Sequence, residues 1–142
     1  MNDDDQAPAP RATLTLPTLR TGWILLAVSL PFGVTLEALH AFKVAAYLGS
    51  EMRRELWRLA HAHGTLLGVV CLVYSALAGA HVAPAARRPV ARLIAWGAAL
   101  MPLGFFLGGV LNAEGDPSLG ILLVPIGALL LLIALVRCAR GR

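Results

Sequence analysis

The groups in this 142-residue chain that could do chemistry stand at or just inside the ends of strongly apolar stretches. One set is Glu37, His40 and Lys43. A second is Arg53, Arg54, Glu55, Arg58, His61 and His63. Ionisable groups are costly beside hydrocarbon, so each needs a partner or a task. Two imidazoles from facing helices can hold a haem iron, and with a carboxylate they can hold a divalent metal ion. A buried glutamate near a histidine can also pass protons, because burial raises a carboxyl pKa toward that of imidazole.

Spacing decides which groups can meet. An α-helix turns about 100° per residue. Ser29, Gly33, Glu37, His40 and Tyr47 then fall on one arc of a first helix, with Lys43 at its edge. Arg54, Arg58, His61, Thr65, Gly68, Ser75 and Gly79 fall on one face of a second. His61 and His63 point in nearly opposite directions, so His40 and His61 are the expected ligand pair. Glu37 would complete a metal site, and His63 would face the third or fourth helix. For haem b the cofactor-binding set is His40, His61 and His63; for a divalent metal it is His40, His61 and Glu37. Around them the expected polar network is Glu37, Lys43, Tyr47, Arg53, Arg54, Arg58, Thr65, Asn112 and Asp116, with Arg58 the preferred partner of Glu37 through its forked donors. The competing reading is an ion-pair network that only fixes helix register.

The elements that must position these groups are membrane spans. The chain is 58% hydrophobic and 14% charged, with a mean hydropathy of +0.72. That leaves too little polar surface for a soluble domain. Four apolar segments, at about 21–48, 57–82, 90–112 and 118–137, are each long enough to cross the hydrocarbon as a helix. Their short connections make sequential neighbours antiparallel. The expected fold is all-α, a polytopic membrane protein with four transmembrane helices in an up-down bundle. It spans residues 20–138, between a polar, proline-broken tail at 1–19 and a basic tail at 139–142. The tail lacks the basic opening of a signal peptide.

The formal charge of +4 does not point to nucleic acid. Arginines at Arg11, Arg20, Arg87, Arg88, Arg92, Arg137, Arg140 and Arg142 collect on one side of the expected bundle, as cytoplasmic loops do. Both termini are therefore expected in the cytoplasm of a bacterial inner membrane, with the cluster near the outer face. Arg53, Arg54 and Arg58 break the rule, which suggests a role other than topology. Cys71 and Cys138 form no metal or disulfide pattern and read as small apolar fillers. Gly104 and Gly108 form a small-xxx-small pair suited to tight packing within the bundle. Pro102 and Pro125 each remove a backbone hydrogen bond, and Asp116 or Ser118 is placed to cap the fourth helix.

At Leu36–Lys43, Leu56–Leu67 and Leu100–Gly109 the chain resembles a family of small uncharacterised four-helix bacterial membrane proteins. The resemblance implies the location and the helix count and brings no activity with it. His61, His63 and the Leu66-Leu67-Gly68 run are also similar to the His-x-His haem-ligand helix of haem-copper oxidase subunit I and of nitric-oxide-response membrane proteins. That likeness implies a single haem or metal at most, since no later helix supplies another histidine.

Three functions follow. The first is a redox-accessory protein binding haem or metal. The second is a structural or assembly subunit, docking other membrane subunits or a second copy through its charged outer end. The third is a proton-coupled transporter or membrane enzyme. No nucleophile constellation is visible, so no catalytic residue is assigned and an enzyme is the less favoured expectation.

Overall fold

The computed structural model describes residues 17–110, 112 and 115–140. The fold is the expected up-down bundle of four long helices: α1 (Pro17–Ala41), α3 (Glu51–His81), α4 (Pro84–Gly108) and α5 (Leu123–Ala139). A short α2 (Ala45–Leu48) links α1 to α3, and a 3-10 turn (Leu119–Leu122) leads into α5. The four long elements, with the 3-10 turn joined to α5, are long and apolar enough to cross a membrane. We call the end that carries α2 the upper end, and the end that carries the α3–α4 link the lower end.

Several boundaries differ from those read off hydropathy, each for a local reason. α1 stops at Ala41 rather than continuing to 48. The Val44 amide donates to the Leu39 carbonyl (3.0 Å) and the Lys43 amide to that of His40 (3.1 Å), with Lys43 left-handed at φ 52°. This is a Schellman ending, here with lysine where glycine is usual. α3 starts at Glu51 because Ser50 caps it, its side chain accepting from the Arg53 amide (3.2 Å). α4 starts at Pro84, where a missing N–H costs nothing, so the link to α3 is only Val82 and Ala83. Pro125 lies in the first turn of α5 and breaks nothing there. Ser118 does not cap forward: its hydroxyl donates back to the Leu107 carbonyl at the end of α4.

The helices pack in the order α1, α3, α4, α5, with α4 also touching α1. Both outer pairings are set by glycines in mutual backbone contact. A Cβ on Gly22 would stand 2.9 Å from the Gly68 carbonyl oxygen, and one on Gly68 would stand 3.2 Å from that of Gly22. In α4 and α5 the same distances are 2.8 Å for Gly97 and 3.0 Å for Gly127. In all four cases the residue one turn onward (Leu26, Leu72, Met101 or Leu131) covers the opposing glycine. Gly104 and Gly108 carry the α4 approach upward against Val124 and Ile121, which is the packing role expected of them. Small residues matter here because lipid tails are as apolar as leucine. Helices then associate mainly by close van der Waals contact rather than by escape from water.

The core lies in the lower half, where Cys71 and Ala78 of α3 meet Val90, Ile94 and Ala98 of α4 and Ala134 of α5. Cys71 is fully buried and Cys138 partly so, both as free thiols. Outward faces carry exposed apolar side chains such as Trp23, Val28 and Val34 on α1 and Leu129 and Leu132 on α5. Lipid is the environment that suits them.

Glycine substitutions test this packing. Gly97→Val forces a side chain into backbone and is expected to destabilise the detergent-solubilised protein by about 1–3 kcal/mol. Gly79, whose Cβ would meet nothing, should tolerate Ala with no loss, or gain about 0.5 kcal/mol. Reversible unfolding by a denaturing detergent, followed by circular dichroism, distinguishes the two.

Candidate functional site at the upper end

A helix that ends near the membrane leaves its last carbonyls without intrahelical partners. At the upper end, Arg53 answers several of them. Its Nε donates to the Gly109 carbonyl (3.0 Å), the residue that ends α4. Its guanidinium also donates to the Ala46 carbonyl of α2 and to Asn112 Oδ1 (3.3 Å). Asn112 Nδ2 donates in turn to Ser50 Oγ (3.1 Å), the cap of α3. Arg54 donates to the Leu48 carbonyl (3.1 Å). Arg53 and Arg54, two of the three arginines that break the expected charge pattern, thus close the C-terminal ends of α2 and α4, where their charge also suits the helix dipole.

Trp57 lies beneath Arg53, whose guanidinium carbon is 5.8 Å from the ring centroid. The indole stacks on Tyr47 (6.1 Å) and on Phe106 (5.7 Å) and meets Phe32 edge-on (6.3 Å). Its N–H donates to the Phe106 carbonyl (3.1 Å). Gly109 makes room: a Cβ there would stand 2.7 Å from the indole. Tyr47 is therefore an aromatic packing residue rather than a member of a polar network.

The histidines do not gather. His61 Nδ1 is 2.9 Å from the Ser29 carbonyl oxygen. A carbonyl can only accept, so Nδ1 carries the proton. The ring fills the space beside Gly33. His40 lies seven residues further along α1 and is exposed, about 10 Å up the helix axis. Two nitrogens on one metal ion must lie within about 4 Å of each other. The expected His40–His61 pairing is therefore not brought together. His63 faces α4, as expected, with its ring 4.7 Å from that of Phe105. Its Nδ1 is committed to the Leu59 carbonyl of its own helix (2.9 Å). Among the described residues no three His, Cys, Asp or Glu side chains are grouped as a metal site.

The expected Glu37–Arg58 pair is also absent. Arg58 pairs with Glu55 of its own helix at 3.2 Å, and both side chains are mostly exposed (67% and 58%). An i,i+3 neighbour on the same helix is simply closer than a group on α1. Glu37, His40 and Lys43 are exposed along the upper part of α1 and just beyond its end. Asp116 is exposed as well, and Thr65 Oγ1 is buried without a hydrogen-bond partner.

At the lower end the same device recurs. Arg87 donates to the carbonyls of Val82 (2.8 Å) and Gly79 (2.7 Å), closing α3, while its own carbonyl accepts from the Tyr74 hydroxyl (2.9 Å). Arg53-Arg54 with Arg58, and Arg87-Arg88 with Arg92, share one spacing within the first three turns of α3 and α4. That repeat was the signal in the sequence for helix-closing arginines. Trp57 and Gly109 carried no comparable signal. No protein-family model, curated protein or solved structure matches this chain.

Arg53→Ala strips the Gly109 and Ala46 carbonyls and Asn112 Oδ1 of a donor and is expected to cost about 2 kcal/mol. Lysine at that position should recover only part, because one ammonium cannot reproduce the fork. Arg58→Gln should stay within about 1 kcal/mol of the parent, as exposed ion pairs do. Detergent unfolding curves for the three variants give the order directly.

Proposed function

We propose that the protein is an assembly subunit of the bacterial inner membrane, with both termini cytoplasmic, which docks a partner through the upper part of α1. The observation that carries this reading is the exposure of Glu37 and His40 on a span whose remaining charge, Arg20, lies at the opposite end, with no hydrogen bond or ion pair from either to the described residues. An ionisable side chain beside hydrocarbon needs a partner, and among the described residues no cation or donor faces Glu37. Lys43 adds support. It holds a left-handed conformation that costs a lysine about 1 kcal/mol and a glycine almost nothing. A side chain kept at that cost has work beyond the turn. The docking partner is another membrane polypeptide, or a second copy, that presents complementary charge at the same depth.

The orientation is supported by the structure's use of arginine. Arg53 and Arg54 are consumed by carbonyls and Arg58 by Glu55. The topological bias is then left to the lower end, with Arg20, Arg88, Arg92, Arg137 and Arg140. The haem or metal reading depended on His40 meeting His61, and the helix register separates them.

Replacing Glu37 and His40 together by alanine tests the proposal. Membranes solubilised in a mild detergent should hold the parent chain in an assembly well above its 15.0 kDa mass, and the variant should fall to the lone chain on native electrophoresis. A parent chain that already migrates alone would refute it. So would a haem absorption band in the purified parent that is lost from the variant.

A further inference from the structure

The groove between α4 and α5 at the lower end has features that the packing of this chain leaves unexplained. It is a cavity of about 450 Å³, walled by Leu93, Trp96, Leu130 and Ile133, with Arg92 and Arg137 at its rim. Gly97 lies against Leu131, and Met101 against Gly127. Carrying that antiparallel register down α4 sets Arg92 level with Arg137, and Arg88 level with Arg140, one turn lower. Like charges are thus stacked across one helix pair in two tiers.

No carboxylate of the described residues relieves them. Glu37, Glu51, Glu55 and Asp116 all lie at the upper end. Arg92 and Arg137 also make no hydrogen bond to described residues, unlike Arg87, which is spent on α3. Two exposed cations that line one apolar groove suit an anion that carries an apolar tail.

We propose that this groove seats one anionic phospholipid. Its phosphate lies between Arg92 and Arg137, and an acyl chain runs upward over Leu93, Trp96, Leu130 and Ile133. The guanidinium forks match phosphate oxygens. The arginines mark the headgroup level, and Trp96 lies one turn further into the hydrocarbon. A zwitterionic lipid offers the same tail, but its own cation opposes the arginines.

Native mass spectrometry of the full chain, stripped of lipid in a non-ionic detergent, tests the proposal with dioleoyl phosphatidylglycerol and dioleoyl phosphatidylcholine as probes. The parent should retain one phosphatidylglycerol in preference to phosphatidylcholine by about tenfold or more, given roughly 1 kcal/mol per basic residue. The paired change Arg92→Gln and Arg137→Gln should remove the preference. Arg58→Gln, at the opposite end, should keep it. Leu130→Trp, which fills the groove and leaves both charges, should also lower phosphatidylglycerol retention, and it keeps the test open if the arginine variant does not fold. Equal retention of the two lipids by the parent would overturn the proposal. Displacement of the lipid by millimolar inorganic phosphate would make it a free-anion site and overturn it too. Binding seen only after Asp3, Asp4 and Asp5 are changed to Asn would assign the groove to the chain's own tail and have the same effect.

Discussion

Carbonyl groups at the ends of α2, α3 and α4 impose the constraint on which the upper and lower rims depend. Each rim lies where water thins out, and a bare carbonyl there is costly. The chain answers with arginines carried in the first turns of the neighbouring helices. Arg53 reaches back to α2 and across to α4, and Arg87 reaches back to α3. A guanidinium suits this work because its donors fan out in one plane and can serve several acceptors at once. The aromatic layer of Trp57, Tyr47, Phe32 and Phe106 then packs under the upper clasp and screens it from the acyl chains. Of the expected cluster, Arg53, Arg54, His61 and His63 are therefore held by carbonyls, and Glu37, His40, Lys43, Glu55 and Arg58 are left at the surface.

Between the rims, the bundle is held by shape. The α1–α3 and α4–α5 pairs use one solution, in which opposed glycines touch backbone to backbone and a long side chain one turn on covers each gap. The two-residue link at Val82–Ala83 leaves α3 and α4 little freedom to separate. α4 becomes the central helix because its small residues, Ala91, Gly97, Ala98 and Gly104, are distributed around more than one face. The flanking helices α1 and α5 keep large apolar faces outward.

The helix count and up-down order were legible in the sequence because hydropathy reports the length of chain that hydrocarbon can hold. The ends were less legible. Helices continue through the interface, where arginine and serine are welcome, so α3 and α4 start six residues before their apolar segments do. Ser50 and Pro84 were readable as start signals. The end of α1 was not, because Lys43 occupies the position where glycine usually announces a stop. Helical phase put His61 toward α1 and His63 toward the third or fourth span, and the third, α4, is the one it meets. It could not supply the axial offset between helices, and that offset is what separates His40 from His61. Nor could it show that Arg58 would choose Glu55 over Glu37.

The unequal lengths of the spans have a consequence for the surrounding bilayer. α3 has 31 residues, about 46 Å of helix, against a hydrocarbon layer of about 30 Å. The α5 element has only 21 residues and matches that layer with little to spare. The first two turns of α3, which carry Glu51, Arg53, Arg54 and Glu55, therefore stand beyond that layer, and the α5 side governs how the bilayer meets the bundle. A thicker membrane would have to thin locally around α5 while drawing Glu37 deeper on the far flank. Both adjustments cost free energy, so the protein has a preferred membrane thickness built into the mismatch of its own helices.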